Sequence, residues 1–109
     1  MNLIDPHVFD ELQANVGADF VLELVETFAQ EAPQLIGQLR SAMAAQDAVA
    51  FRRVAHALKS SSQAFGAVPL ADQARSLELG GLPADAAAVD ALAHRFEQTL
   101  PALRERARG

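Results

Sequence analysis

The stretch DFVLELVETFAQEAPQLIGQLRSAM, residues 19–43, decides the fold class. Its apolar residues Phe20, Leu24, Phe28, Leu35, Leu39 and Met43 recur at steps of three and four or their sums, the period of a helix face rather than of a strand. The stripe keeps its phase across Pro33. The spacing therefore predicts one long helix to about Gln46, kinked where proline removes the bond to the Ala29 carbonyl; two helices in line are the alternative.

Outward from this stretch the same punctuation recurs. Asp5 before Pro6 is a helix start, because the carboxylate accepts from first-turn amides and proline's fixed φ suits the first helical position. That helix runs to about Asn15, Gly17 breaks it, and Asp19 sits where the next begins. Asp47 caps a helix over residues 48 to about 65, which Gly66 terminates. Pro69 opens another, carrying Leu70, Ala74 and Leu77 and stopping at Gly80-Gly81. Leu82-Pro83 leads into a last helix with Val89, Leu92, Phe96, Leu100 and Leu103 on one side, which Pro101 kinks or frays without changing phase. No strand-like alternation interrupts the series. The expected fold is all-α, a single domain over residues 1–109 built as an antiparallel four-helix bundle with a short additional N-terminal helix.

Composition agrees. Half of the 109 residues are hydrophobic but only 6% are aromatic, with six Phe and neither Trp nor Tyr, so the core is built mainly of Leu, Val and Ala, a mixture that favours helices. Cysteine is absent, which excludes disulfides and thiolate metal sites and agrees with a cytoplasmic location. No stretch approaches the ~20 apolar residues of a membrane span, and residues 1–9 lack the basic and apolar regions of a signal peptide. A formal net charge of −5 repels a phosphate backbone, so neither membrane nor nucleic acid is an expected partner. Met1 lies so close to the first helix that a free-standing protein is expected rather than a domain of a hybrid kinase.

The helix over residues 48 to about 65 carries the chemistry. Ala50, Val54, Ala57, Leu58, Ser61 and Phe65 fall within about 60° of Val54 and should meet the core, with the Ser61 hydroxyl bonded back to the Ala57 carbonyl. His56 points almost directly away. Around it lie Arg52, Lys59, Ser60 and Gln63, at the spacings of helical neighbours, while Arg53 is further round and solvated. This patch suits an anion better than a metal, since no second His and no close carboxylate on the helix chelates with His56. A neutral imidazole nitrogen attacks phosphorus near neutral pH, and adjacent positive charge stabilises the incoming phosphoryl oxygens. The chain has no Gly-rich nucleotide loop, P-loop lysine or kinase signature. The phosphoryl group must then come from another macromolecule or a small donor, and the chain is expected to be a carrier without its own nucleotide-binding or hydrolytic site. His7 and His94 have no supporting residues and read as surface.

The run Ala55-His56-Ala57-Leu58-Lys59-Ser60-Ser61-Ser62-Gln63-Ala64-Phe65-Gly66-Ala67, continuing to Leu77-Glu78, resembles the signature of histidine phosphotransfer domains, written H-x-L-K-G-S-S-x-x-x-G with a later L-E. Ile4-Asp5-Pro6 and the segment from Asp19 to Phe28 are similar to the family's opening, so the resemblance covers nearly the whole chain. It implies a phosphorelay protein in which His56 accepts a phosphoryl group from a receiver-domain aspartate and passes it to another. Lys59 then holds the phosphoryl oxygens, and Glu78 hydrogen-bonds one imidazole nitrogen from the neighbouring helix. The implied partners are response-regulator receiver domains, a hybrid sensor histidine kinase, or both, docking on a monomer through Arg52, Ala55, Ser60 and Gln63. No cofactor or metal of its own is expected; magnesium belongs on the receiver. Ser60 stands where the family has Gly, a position that leaves room for the partner's active site, and Ala74 replaces a frequent Cys. A helical adaptor that binds a receiver or sensor kinase without carrying phosphate is the competing class, and intact His56 and Lys59 argue against it.

Overall fold

The computed structural model describes residues 2–108; Met1, on which the expectation of a free-standing protein rests, and Gly109 lie outside the described residues. Five helices follow one another: α1 (Pro6–Val16), α2 (Ala18–Ala44), α3 (Ala48–Ala64), α4 (Val68–Gly80) and α5 (Ala87–Arg108), with no strand among the described residues. The predicted caps form. Asp5 Oδ1 accepts from the His7 amide and Asp47 Oδ1 from the Ala50 amide, each at 3.0 Å, satisfying donors that have no partner within their helix. Of the two arrangements open at Pro33, the single helix is the one formed, and α5 likewise continues through Pro101. That last helix starts later than Leu82-Pro83 suggests, because Asp85 Oδ1 accepts from the Ala87 amide at 2.9 Å and sets the start there.

All five helices contribute to one cluster of buried side chains. In it α2 packs against α3 and α5, α4 packs against the same two, and α1 lies on α2 and α3. Phe28 of α2 sits between Phe65 at the end of α3 and Phe96 of α5, with ring centroids 5.2 and 5.6 Å away, the second pair edge to face. The buried side chains of α2 are Val21, Val25, Phe28, Ala32, Ile36, Leu39 and Ala42, whereas Phe20 is exposed and Leu24, Leu35 and Met43 are half-buried. A stripe drawn through the largest side chains thus misjudges the rotation. A helix wedged between two others buries a broad arc, and Val, Ile and Ala fill it where neighbours come close. In α5 Thr99 is buried in place of Leu100, its hydroxyl donating to the Arg95 carbonyl at 2.7 Å.

Two features fix how the helices meet. Gly66, with φ +73°, closes α3: its amide donates to the Gln63 carbonyl at 3.0 Å and the Ala67 amide to the Ser62 carbonyl at 2.9 Å, the paired bonds of a left-handed glycine cap. Its own carbonyl accepts from the Asp5 amide at 2.7 Å, tying the entry of α1 to the α3–α4 turn. Ion pairs join α5 to its neighbours: Arg104 grips Glu26 of α2 through two bonds of 2.8 and 2.9 Å, Arg40 of α2 meets Asp90 at 2.7 Å, and Arg106 meets Asp10 of α1 at 3.1 Å. The Arg104 guanidinium holds the Glu26 carboxyl below the usual carboxylate range.

Candidate functional site

Helix α3 buries Phe51, Val54, Ala55, Leu58 and Ser62, an arc rotated by about 50° from one centred on Val54. Phe51 explains the rotation. It is the largest apolar side chain on the helix, wholly buried, and it pulls the seam toward its own side. Ala55, expected on a docking surface, is therefore fully buried in the core and is not part of that surface. For the same reason Ser62, not Ser61, lies inside, its hydroxyl donating to the Leu58 carbonyl at 2.7 Å. His56 still lies about 150° from the centre of the arc, and its side chain is 58% exposed. Lys59 falls at the edge facing α4, where it is 19% exposed.

The packing of α3 beside α4 supplies the third group. Leu77 is buried and anchors the last turns of α4, which leaves Glu78 on the flank of that helix with 15% of its side chain exposed. Its Oε2 lies 2.6 Å from His56 Nδ1 and its Oε1 2.7 Å from Lys59 Nζ. One carboxylate thus bridges two side chains of α3. The Lys59 bond, and after it the His56 bond, hold the Glu78 carboxyl below its ordinary value of 4.5, against the opposing effect of burial. Glu78 is consequently ionised at neutral pH. An ionised carboxylate only accepts, so Nδ1 is the donor, and in the neutral ring the lone pair then falls on Nε2.

A shallow hollow beside the ring is lined by Val49, Arg52, Arg53, His56 and Glu78. Arg52 is exposed there as expected, and Arg53, expected to be merely solvated, borders the same hollow. Ser60 and Gln63 are exposed further along α3. His7 and His94 are exposed on α1 and α5, away from this group. Among the described residues no three His, Asp or Glu side chains converge as a metal site would require.

These features can be set beside known proteins. The sequence model of the Hpt domain family matches residues 23–106. The chain belongs to the Hpt domain family. The crystal structure of histidine-containing phosphotransfer protein B (HptB) from Pseudomonas aeruginosa PAO1 is similar over 97% of this chain and 91% of that one, with a TM-score of 0.76 at 28% identity. The phosphorelay protein LuxU of Vibrio harveyi is 30% identical over 77 residues, which cover 71% of this chain and 68% of LuxU. This Hpt domain is accordingly a histidine phosphotransfer protein of a phosphorelay.

Three features of this Hpt domain escape sequence reasoning. The Lys59–Glu78 pair spans 19 residues and two helices, and no local spacing announces it. Arg53 reaches the hollow because the core arc is rotated. The apolar patch of Val49 and Leu79 is not singled out either, although Val49, two turns before His56, shares its outward face, and that period is the signal that could find it.

Proposed function

We propose that this Hpt domain takes a phosphoryl group from the aspartate of one receiver domain onto Nε2 of His56 and delivers it to the aspartate of another. The observation that carries this reading is the ring's setting: an exposed imidazole whose Nδ1 lies 2.6 Å from the Glu78 carboxylate, an arrangement that in the neutral ring leaves the lone pair on Nε2. In the transfer, Nε2 attacks the phosphorus of the acyl phosphate. The P–N bond forms as the bond from phosphorus to the aspartyl oxygen breaks, and the aspartate leaves as a carboxylate. The proton stays on Nδ1, and Glu78 offsets the positive charge that the ring gains. Onward transfer runs these events in reverse on a second receiver carboxylate.

Lys59 has three donors, so it can meet the phosphoryl oxygens while keeping one bond to Glu78. Arg52, Ser60 and Gln63 face the partner. Magnesium belongs to the receiver, whose carboxylates are the hard oxygen ligands it requires, and this chain is a carrier with no nucleotide or hydrolytic site of its own. Short links, together with the packing of α2 on α3, α3 on α4, α4 on α5 and α5 on α2, support an antiparallel four-helix bundle with α1 beside it over the described residues, and we take the chain 1–109 as one domain. We take the unit to be monomeric and cytoplasmic. No described helix is long and apolar enough to cross a membrane, and the net charge of −5 opposes nucleic acid.

The test is to mix the protein with a radiolabelled phospho-receiver domain. Acid-labile, base-stable label on this chain is the expected result; no label from any receiver of the source organism would favour the non-phosphorylated adaptor. Glu78→Ala is expected to slow single-turnover transfer by about 10- to 100-fold, because the ring loses its fixed tautomer and its counter-charge. Glu78→Gln should fall between, since an amide oxygen still accepts from Nδ1–H. Rapid-quench kinetics at saturating receiver measure both, and an unchanged rate in Glu78→Ala would remove the carboxylate from the mechanism.

A further inference from the structure

Charge and exposed apolar surface are both unevenly distributed, and they coincide beside His56. Residues 48–80, which hold α3, the turn and α4, carry four cations (Arg52, Arg53, Lys59, Arg75) and two carboxylates (Asp72, Glu78), net +2, so the rest of the chain carries −7 of the total −5. Arg52, Arg53 and Arg75 are exposed, and none of them has an ion-pair partner among the described residues, whereas Arg40, Arg104 and Arg106 are each paired. Four large apolar side chains are exposed among the described residues: Phe20, Val49, Val68 and Leu79. The two most exposed, Val49 at 65% and Leu79 at 73%, border hollows that share Arg52 and Glu78. The two most exposed apolar side chains therefore lie together on one side of His56, at the start of α3 and the end of α4. On the opposite side, Ser60 and Gln63 give the partner a polar margin, and the one large exposed apolar side chain of α3 and α4 there is Val68 at the start of α4, 45% exposed.

We infer that Val49 and Leu79, rimmed by Arg52 and Arg53, are the seat on which a receiver domain docks, so that the partner lies over the start of α3 and the end of α4. The inference rests on His56 being the phosphoryl acceptor and adds where, and by what chemistry, its donor is recognised. A receiver must gather carboxylates around its phosphoaspartate to hold a divalent cation, and free arginines at the rim of this seat complement that charge. Apolar anchors at the centre with arginine at the edge are the arrangement that concentrates binding energy in a small, transient interface. A second copy of this chain fits poorly, because two such faces would oppose like charges.

Two donors separate docking from chemistry: a phosphorylated receiver domain that labels the unaltered protein, and phosphoramidate, which has no protein surface to dock. Leu79→Asp is expected to raise KM for the receiver by about tenfold or more, with the saturated rate little changed. Labelling of Leu79→Asp by phosphoramidate should match the unaltered protein. Leu79→Met should restore receiver transfer, and Val68→Asp, at the other end of α4, should transfer normally. An unchanged KM in Leu79→Asp overturns the inference, as does equal loss with both donors, which would mean a disturbed ring. A dimer in sedimentation that Leu79→Asp dissociates would give the seat to a second copy and overturn it too. No transfer from any receiver to the unaltered protein, with phosphoramidate labelling intact, would instead remove the proposed function beneath it.

Discussion

His56→Gln is expected to abolish transferable label while leaving the fold in place. The side chain is 58% exposed and contributes nothing to the core, and the glutamine amide can still donate to Glu78. Stability should therefore stay within about 0.5 kcal/mol of the unaltered protein, as for most surface substitutions. The chemistry has no such reserve. An amide nitrogen is not a nucleophile at neutral pH, and no other imidazole stands beside a lysine and a carboxylate: His7 lies on α1, and the His94 ring, on α5, lies 3.3 Å from the Gln98 amide. Loss of at least roughly three orders of magnitude in receiver-to-carrier transfer is the expected outcome, the scale on which removal of an essential nucleophile acts. It is read by quenching labelled mixtures and comparing them with circular dichroism on the same samples. Acid-labile label persisting in His56→Gln would move the acceptor to another residue.

Among the described glycines, Gly66→Ala should be the most damaging substitution by alanine. At φ +73° an alanine is strained by about 1–2 kcal/mol. Its Cβ would also stand 2.8 Å from the Asp5 carbonyl oxygen and 2.9 Å from the Val8 Cβ. The first of these is backbone and cannot swing aside. Relief requires the entry of α1 to move away from the turn, weakening the 2.7 Å bond from the Asp5 amide to the Gly66 carbonyl. Together these cost about 2–4 kcal/mol, a drop in Tm of roughly 8–20 °C for a domain of this size. Gly37→Ala supplies the contrast, since it lies within α2 with nothing within 4 Å of its added Cβ, and it should stabilise by up to about 1 kcal/mol through helix propensity. Thermal melts of the pair decide the matter; equal melting temperatures would show that the turn carries no strain. Because the same turn sets α4 beside α3, Gly66→Ala should also slow phosphoryl uptake at temperatures where it remains folded.

How much of this was legible in the chain follows from the range of each signal. Helix starts and stops are local, so Asp5-Pro6, Asp47, Gly66 and Pro69 place α1, α3 and α4 to within a residue or two. The rotational setting is not local. A period of 3.6 residues identifies an apolar face but not which flank of it a second neighbour covers, and so Ala55 falls inside while Phe20 falls outside. The start of α5 is missed because the alanines from Ala84 onward have helical propensity throughout, and only the Asp85 cap distinguishes the first helical residue. At the site, His56 stands out through its motif and its position opposite the core. The bridge from Glu78 to both His56 and Lys59 depends on how α4 packs on α3, and the exposure of Leu79 depends on what fails to cover it.

The most direct measurement is correlated phosphorus and nitrogen NMR on protein labelled with ¹⁵N-histidine and phosphorylated by a receiver domain. Coupling of phosphorus to Nε2 of His56, with Nδ1 still protonated against Glu78, is the result expected. Coupling to Nδ1, or to a different histidine, would contradict the assignment of roles to His56 and Glu78.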